Sequence, residues 1–195
     1  RKVKDSWMEE WSPRLDSDEI PISPYRVINE LQKAVDVSNT IITHDAGSPR
    51  DQLVPFWECV APRTYMGWGK STQLGYGLGL IMGAKLAEPE KICINIMGDA
   101  AIGMVGMDIE TAARNRIGIL TIVFNNGVMA IERDSMPFAI ENFAAHDQGG
   151  DYHAVAEALG GWGVRVETPN SFIPALHQAL DVTRTGRPAL IECIT

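Results

Sequence analysis

The stretch ICINIMGDAA, residues 92–101, and the stretch ILTIVFNNG, residues 119–127, decide the fold. Each begins with an apolar run rich in β-branched residues and ends in small or polar residues. Runs that are apolar throughout are typical of parallel strands whose two faces are both covered by helices. Because the helical pattern GMDIETAARN separates the two runs, they form a βαβ unit. We therefore predict two parallel strands of one buried sheet.

The rest of the chain continues this alternation of strands and helices. The further strand candidates are TIITH (40–44), VRVET (164–168) and ALIECIT (189–195), and helical spacing recurs in YRVINELQKAV (25–35), LGYGLGLIMGAKLA (74–87), DYHAVAEALG (151–160) and SFIPALHQALDV (171–182). The pattern predicts the α/β class, as a three-layer, doubly wound domain with a mainly parallel sheet. Residues 1–23 are predicted to be a linker or the tail of a preceding domain, partly helical, and residues 24–195 the domain itself.

Composition narrows the classes of function. The formal net charge of −8, from 17 basic and 25 acidic residues, argues against nucleic-acid or anionic-membrane partners, because both need a clustered basic surface. No apolar run reaches the 18 residues of a membrane-spanning helix. The three cysteines lack CxxC spacing, which favours buried thiols in a reducing, cytoplasmic setting. The chain opens without a Met, and we expect it to be part of a longer protein.

Polar residues follow the two deciding strands at the point where each ends. Asp99 follows the first and Asn126 the second. Ligands bind at the carboxyl ends of parallel strands, so we expect these side chains to converge. A carboxylate and a carboxamide oxygen, completed by a backbone carbonyl, suit Mg²⁺ or Ca²⁺. Ala100 and Ala101 then open a helix whose unpaired N–H groups suit an anion, which together predicts a diphosphate cradle.

Each feature also has a simpler interpretation when it is taken singly. Asp99 is a plausible helix N-cap, and Asn125-Asn126-Gly127 is typical of a turn. The glycines in LGYGLGLIMG suggest a dinucleotide fingerprint, although they do not follow a strand as that motif requires. His44, at the end of a strand, is a weaker candidate for a direct role. The alternatives to a catalytic cofactor domain are a non-catalytic binding or scaffold domain and a nucleotide-binding α/β domain.

The spacing of GDA, 24 residues and then NN is similar to the GDG-x(24–27)-NN signature of thiamine-diphosphate enzymes. The segments HDAGSPRDQ and QLGYGLGLIMGAKLA, and those that follow the signature, resemble acetolactate synthases in order and spacing. The resemblance covers about residues 24–195, which correspond to the C-terminal cofactor-binding domain of that family. It implies a thiamine-diphosphate-binding fold and an enzyme that decarboxylates or ligates 2-oxo acids or acyl-CoA-like substrates.

The resemblance also implies the roles of individual residues. It makes Asp99, Asn126 and the backbone carbonyl of Val128 the Mg²⁺ ligands. Leu74 corresponds to the apolar residue that holds thiamine bent, and backbone groups of Thr72 and Leu74 correspond to contacts with the aminopyrimidine. The residues expected to bind the cofactor are Gly47, Ser48, Arg50, Thr72, Leu74, Gly98, Asp99, Ala100, Ala101, Asn126 and Met129.

The sequence departs from the family pattern in ways that bear on activity. Ala101 stands where serine is usual, and Ser135 stands where acetolactate synthases carry a tryptophan that shapes the acceptor pocket. The family's catalytic glutamate comes from a separate N-terminal domain, usually of a partner subunit. No residue in this chain corresponds to it, so we expect no catalytic residue here, an inactive isolated chain, and a dimer or tetramer for the intact enzyme.

Overall fold

In the computed structural model, which describes residues 2–67, 73–130 and 134–195, six strands form one sheet. They are β1 (Thr40–His44), β2 (Tyr65–Met66), β3 (Ile92–Gly98), β4 (Leu120–Asn125), β5 (Trp162–Val166) and β6 (Ala189–Ile194). Their order across the sheet is β2-β1-β3-β4-β6-β5, and all adjacent pairs are parallel. The carboxyl ends of β1, β3, β4 and β6 therefore lie side by side at one edge.

Helices cover both faces of this sheet. They are α1 (Lys2–Leu15), α2 (Pro24–Ala34), α3 (Ser48–Leu53), α4 (Tyr76–Ala87), α5 (Asp99–Val105), α6 (Asp108–Arg114), α7 (Pro137–Phe143), α8 (Tyr152–Ala158) and α9 (Pro169–Arg184). Side chains of α1, α2, α3 and α9 share one core cluster, whereas those of α4, α5, α6 and α8 share another. The predicted three-layer, doubly wound α/β architecture is confirmed.

Two hydrophobic cores follow from the alternation of side chains along each strand. In β3, Ile94 and Ile96 point into the core beneath α2 and α9, whereas Cys93 and Met97 point into the core beneath α4. All four are at most 2% exposed, so β3 is buried on both faces. This explains why its sequence is mainly apolar, and why its one polar side chain, Asn95, is itself buried and hydrogen-bonded to Thr43.

The structure contains every strand predicted from the sequence and adds β2 at the edge of the sheet. The ends of the predicted strands differ by at most two residues from the observed ones. β2 has only two residues and pairs with β1 alone, so it has no hydrophobic period that a sequence pattern can reveal. The short helices α3 and α7 were also not predicted, and each carries a proline in its first turn, at Pro49 and Pro137.

The helix α1 packs on the domain through aromatic side chains. The ring of Trp7 stacks on Phe56 at a centroid distance of 4.8 Å, and Trp11 meets Tyr25 edge to face at 5.0 Å. The predicted helix near the start of the chain is thus observed and contributes to the core. The assignment of residues 1–23 to a linker or to a preceding domain stays a prediction.

The helices and cysteines of the described part of the chain bear on the predictions made from composition. Among its helices, none is both long enough and apolar enough to cross a bilayer. Cys93 and Cys193 are buried, as expected of small apolar side chains within strands. Cys59 is exposed, and all three thiols are free.

The glycines of α4 provide a matched test of how closely this helix approaches the sheet. A Cβ on Gly77 would lie 2.6 Å from Oδ1 of Asn95, whereas one on Gly79 would meet no atom within 4 Å. We expect Gly77→Ala to lower the free energy of unfolding by about 1–3 kcal/mol because of this clash. Gly79→Ala should raise it by about 0.5–1 kcal/mol through helix propensity. Urea denaturation of both variants measures the difference, and equal effects would contradict the close approach.

Candidate functional site

A pocket of about 260 Å³ opens at the carboxyl ends of β1, β3, β4 and β6. Parallel α/β sheets bind ligands at this edge, because loops and helix starts converge there. The residues that line the pocket are Ala46, Gly47, Ser48, Pro49, Arg50, Gln52, Leu74, Gly98, Asp99, Ala100, Ala101, Phe124, Asn126, Val128, Met129, Ala130 and Thr195.

The structure brings the predicted site residues together in this one pocket. Those that line it are Gly47, Ser48, Arg50, Leu74, Gly98, Asp99, Ala100, Ala101, Asn126, Val128 and Met129. Thr72, which was also predicted to contact the cofactor, lies outside the described residues. The segments come from four separate parts of the chain, so their convergence is a property of the fold. Their individual roles as ligands remain predictions.

Asp99 joins the ends of β3 and β4. Its carboxylate is 3% exposed, and its Oδ1 accepts a hydrogen bond of 2.7 Å from the N–H of Ala100. Its Oδ2 accepts one of 2.8 Å from the N–H of Gly127, the residue after Asn126. The segments after β3 and β4, which were predicted to converge, are therefore joined by a hydrogen bond.

The Asp99 carboxylate is buried without a cationic partner. Burial raises its pKa, and hydrogen bonds from the backbone of Ala100 and Gly127 oppose part of that rise. Among the residues that the structure describes, no lysine, arginine or histidine forms an ion pair with it. Buried charges in proteins are normally paired or bound to metals. A divalent cation would supply the missing partner.

The loop after β4 is held in place on both sides. Oδ1 of Asn126 accepts a hydrogen bond of 3.1 Å from the N–H of Val128. The N–H of Gln148 donates to the carbonyl of Gly127, and the N–H of Met129 donates to that of His146, each at 2.8 Å. These bonds hold Asn126, Val128 and Met129 at the wall of the pocket, near Asp99.

Asp99 is the single acidic side chain among the described residues that line the pocket. Within the described residues there is no cluster of three histidine, cysteine, aspartate or glutamate side chains that could hold a metal ion. A cation here would rely on the carboxamide of Asn126 and the carbonyl of Val128 beside Asp99. Mg²⁺ tolerates this arrangement, because it commonly takes one or two protein carboxylates and completes its shell with phosphate oxygens and water.

The start of α5 has fewer free N–H groups for an anion than the sequence pattern predicts. The helix has seven residues, and the N–H of Ala100 already donates to the side chain of Asp99. That amide is therefore occupied in this structure. A role for Ala100 and Ala101 in holding an anion stays a prediction.

Asp45 is a site residue that the sequence reasoning missed. It is fully buried, and its Oδ1 accepts hydrogen bonds from the N–H groups of Gly75 (2.7 Å) and Ala46 (3.0 Å). Its Oδ2 accepts one of 3.2 Å from the N–H of Gly77. Burial raises the pKa of Asp45, while these N–H groups lower it in part. Asp45 thus ties the pocket loop after β1 to the turn that carries Leu74. Its position directly after a strand was the available signal.

His44 does not line the pocket. It is 4% exposed, its Nδ1 lies 3.1 Å from the carbonyl oxygen of Asp45, and its ring lies 5.6 Å from that of Tyr65. Because a carbonyl can only accept, Nδ1 carries the proton. Burial lowers the pKa of His44, which favours the neutral ring. The structure therefore supports a packing role for His44 beneath the site.

Comparison with known proteins matches the part of the chain that contains most of the pocket residues. Residues 45–193 match the family described as "Thiamine pyrophosphate enzyme, C-terminal TPP binding domain". An acetolactate synthase large subunit of Mycobacterium tuberculosis is 30% identical over 180 residues, which are 91% of this chain and 32% of that protein. A 2-hydroxyacyl-CoA lyase of Oryza sativa is 29% identical over an alignment of 205 positions, gaps included, which covers all of this chain and 35% of that protein.

A solved structure supports the match at the level of fold. The thiamine diphosphate-dependent 4-hydroxybenzoylformate decarboxylase of Rhodococcus jostii superposes with a TM-score of 0.79 at 25% sequence identity. The match covers 92% of this chain and 33% of that one. The chain thus spans about a third of the length of the relatives that it matches.

Replacing Asp45 tests its role in tying the two pocket loops together. In Asp45→Asn, the new NH₂ group would face the N–H of either Gly75 or Gly77, and two donors cannot pair. We expect the free energy of unfolding to fall by about 1–3 kcal/mol, as for a buried hydrogen-bonding group left unsatisfied. Thermal unfolding measures this loss. Asp36→Asn, at an exposed turn, is the matched control and should change stability less; an equal loss would contradict the assignment.

Proposed function

Since this chain belongs to the thiamine pyrophosphate enzyme family through its C-terminal TPP-binding domain, we propose that its pocket holds thiamine diphosphate as a complex with Mg²⁺. One observation supports the metal most strongly. Asp99 is a buried carboxylate without a cationic partner among the described residues, and it is bonded to the loop that carries Asn126. A cation at this point would neutralise the charge and connect both strand ends to a diphosphate.

The available oxygens fit a magnesium ion. We assign the protein ligands to the carboxylate of Asp99, the side-chain oxygen of Asn126 and the backbone carbonyl of Val128, all at the pocket wall. The hydrogen bonds that Asp99 and Asn126 accept do not preclude binding, since each of these oxygens has a second lone pair. Phosphate oxygens and water would complete the octahedral shell.

Other walls of the pocket suit the remaining parts of the cofactor. Gly47, Ser48 and Arg50 form the wall that follows β1, where the guanidinium of Arg50 can offer paired N–H donors to a diphosphate. Arg50 bonds to Asp51 through Nε at 2.8 Å, which steadies its side chain. Leu74 provides an apolar surface for thiamine, and Met129 lines the pocket near the proposed cation.

For the whole protein we propose the decarboxylation or ligation of 2-oxo acids, in the manner of an acetolactate synthase, with 2-oxo acids or acyl-CoA-like molecules as substrates. When bound, thiamine diphosphate supplies an electron sink for the carbanion that such reactions create. This chain binds and orients the cofactor. Buried residues that line the pocket, such as Ala101 and Phe124, exclude water from the side of the cofactor that faces the sheet. The relatives named above carry different reactions on a similar domain, which fits a role for this region in cofactor binding.

We also propose that the acid that activates the cofactor lies outside this chain. Of the described residues that line the pocket, Asp99 is the only acidic one, and the metal would occupy it. A glutamate from another domain or subunit would then complete the site, in a dimer or tetramer. Met104 in α5 and Met107 just after it are 60% and 70% exposed, and they form apolar surface that such a neighbour would cover.

Removal of the Asp99 carboxylate tests the proposed metal complex. In calorimetry with thiamine diphosphate and Mg²⁺, Asp99→Ala should lower the affinity by about 100-fold or more, equivalent to about 3 kcal/mol. The cation loses its carboxylate, and chelation of Mg²⁺ by EDTA should have the same effect on the unmodified protein. Asp108→Ala removes the same charge from the exposed surface of α6 and should bind normally. Binding that survives both EDTA and Asp99→Ala would refute the metal site.

Because Asp99 is the only acidic residue among the described residues that line the pocket, we predict a slow reaction for this chain alone. With thiamine diphosphate, Mg²⁺ and pyruvate, the purified 195-residue chain should release CO₂ about 10²–10⁴-fold more slowly than complete enzymes of the family, since general acid–base catalysis is missing. Calorimetry on the same sample shows whether the cofactor is bound. Turnover at the rate of complete enzymes would place the activating acid within this chain.

A further inference from the structure

Glu192 is a fully buried carboxylate in β6, outside the residues that line the pocket. Its Oε1 accepts hydrogen bonds from Nδ2 of Asn125 at 2.7 Å and from Nη2 of Arg165 at 3.2 Å. Its Oε2 lies 2.6 Å from Nδ1 of His153 and accepts from the backbone N–H of His153 at 3.2 Å. The donors therefore surround the carboxylate, and one of them, Asn125, is the last residue of β4, directly before the loop that lines the pocket.

The bond to Glu192 determines how the side chain of Asn125 is oriented. An ionised carboxylate can only accept hydrogen bonds, so Asn125 must turn its NH₂ group towards Glu192. Its Oδ1 then faces the loop and accepts from the N–H of Gly127 at 3.1 Å. A reversed amide would place an NH₂ group against that N–H.

The same N–H of Gly127 reaches the proposed metal ligand. It is shared between Oδ1 of Asn125, at 3.1 Å, and Oδ2 of Asp99, at 2.8 Å. A continuous hydrogen-bonded path therefore runs from Glu192 through Asn125 and Gly127 to Asp99. Asn126, the other proposed side-chain ligand, lies between two residues of this path.

We propose that Glu192 is a positioning residue for the cation and diphosphate site, acting through the side-chain amide of Asn125. This inference rests on the proposed function. Groups that orient metal ligands in this way commonly change metal affinity when they are replaced, although they never touch the metal.

The surroundings of Glu192 keep it ionised for this role. Burial raises its pKa, but hydrogen bonds from His153, Asn125 and Arg165 outweigh burial and bring the pKa below its usual value. The other two partners, Arg165 on β5 and His153 on α8, are not among the residues that line the pocket. They stabilise the negative charge of Glu192. Asn125 instead links Glu192 to the loop through its hydrogen bond with the N–H of Gly127.

The variant Glu192→Gln tests the proposal. Glutamine offers one acceptor and one donor where the carboxylate offers two acceptors. The backbone N–H of His153 cannot turn away from this group, whereas the side-chain amide of Asn125 can, so we expect the glutamine oxygen to face His153 and its NH₂ group to face Asn125. Asn125 then either loses its partner or reverses its amide against Gly127. We expect the affinity for thiamine diphosphate with Mg²⁺ to fall by about 10–100-fold. Arg165→Met is the matched control, because it removes another partner of Glu192 and leaves the path to Gly127 intact. Its affinity should stay within about threefold of that of the unmodified protein.

A double-mutant cycle separates positioning from general stability. If Glu192 acts through Asn125, the variant Asn125→Ala should weaken binding similarly, and adding Glu192→Gln should weaken it little further. Unaltered binding by Glu192→Gln, equal losses in Glu192→Gln and Arg165→Met, or fully additive losses in the cycle would each overturn the proposal. If the unmodified protein itself fails to bind, the proposed function fails first.

Hydrogen exchange provides a readout that needs no cofactor. The amide of Gly127 should exchange about tenfold faster in Glu192→Gln than in the unmodified protein, since it loses one of its two acceptors. Arg165→Met should leave the exchange rate of Gly127 unchanged even if it lowers the melting temperature. Asn125→Ala breaks the same path from the other end and should also speed exchange. Unchanged exchange in both Glu192→Gln and Asn125→Ala would overturn the proposal.

Discussion

The hydrogen bond from the N–H of Gly127 to the buried carboxylate of Asp99 is the constraint on which the site depends. It joins the ends of β3 and β4, which are adjacent parallel strands of the sheet. Every group proposed to hold the cation lies within two residues of this bond. Its geometry follows from the sheet itself, because adjacent parallel strands end at the same edge and place their following loops in contact.

Three carboxylates are buried around the pocket, and their partners differ. Asp45 is satisfied by backbone N–H groups, and Glu192 is satisfied by Asn125, His153 and Arg165. Asp99 has backbone donors but, within the described residues, no cation. A fold that needed only stability would not concentrate buried charge in this way, because burial of carboxylates is costly. Such local conflicts are expected at functional sites.

The sequence predicted most of the architecture, because long apolar strands and amphipathic helices carry strong local patterns. TIITH is observed as β1 with the same ends, and GDA and NN mark the ends of β3 and β4. Asp45 stands directly after a strand, but its partners Gly75 and Gly77 lie 30 and 32 residues away in the sequence. Glu192 could not be recognised, since Asn125, His153 and Arg165 lie 27 to 67 residues away and only the folded sheet brings them together. β2 was missed because two residues at a sheet edge show no period.

The place of β6 in the sheet makes the loop after β4 depend on a distant part of the chain. β6 lies between β4 and β5, so residues 120–125 pair with residues 189–194 across some 70 positions of the chain. Pairing at such long sequence separation slows folding, because the intervening loop must first be closed. Glu192 reaches the side chain of Asn125 only when β6 has inserted beside β4. A chain in which this strand is missing or not yet paired therefore leaves the amide of Asn125 without the carboxylate that orients it.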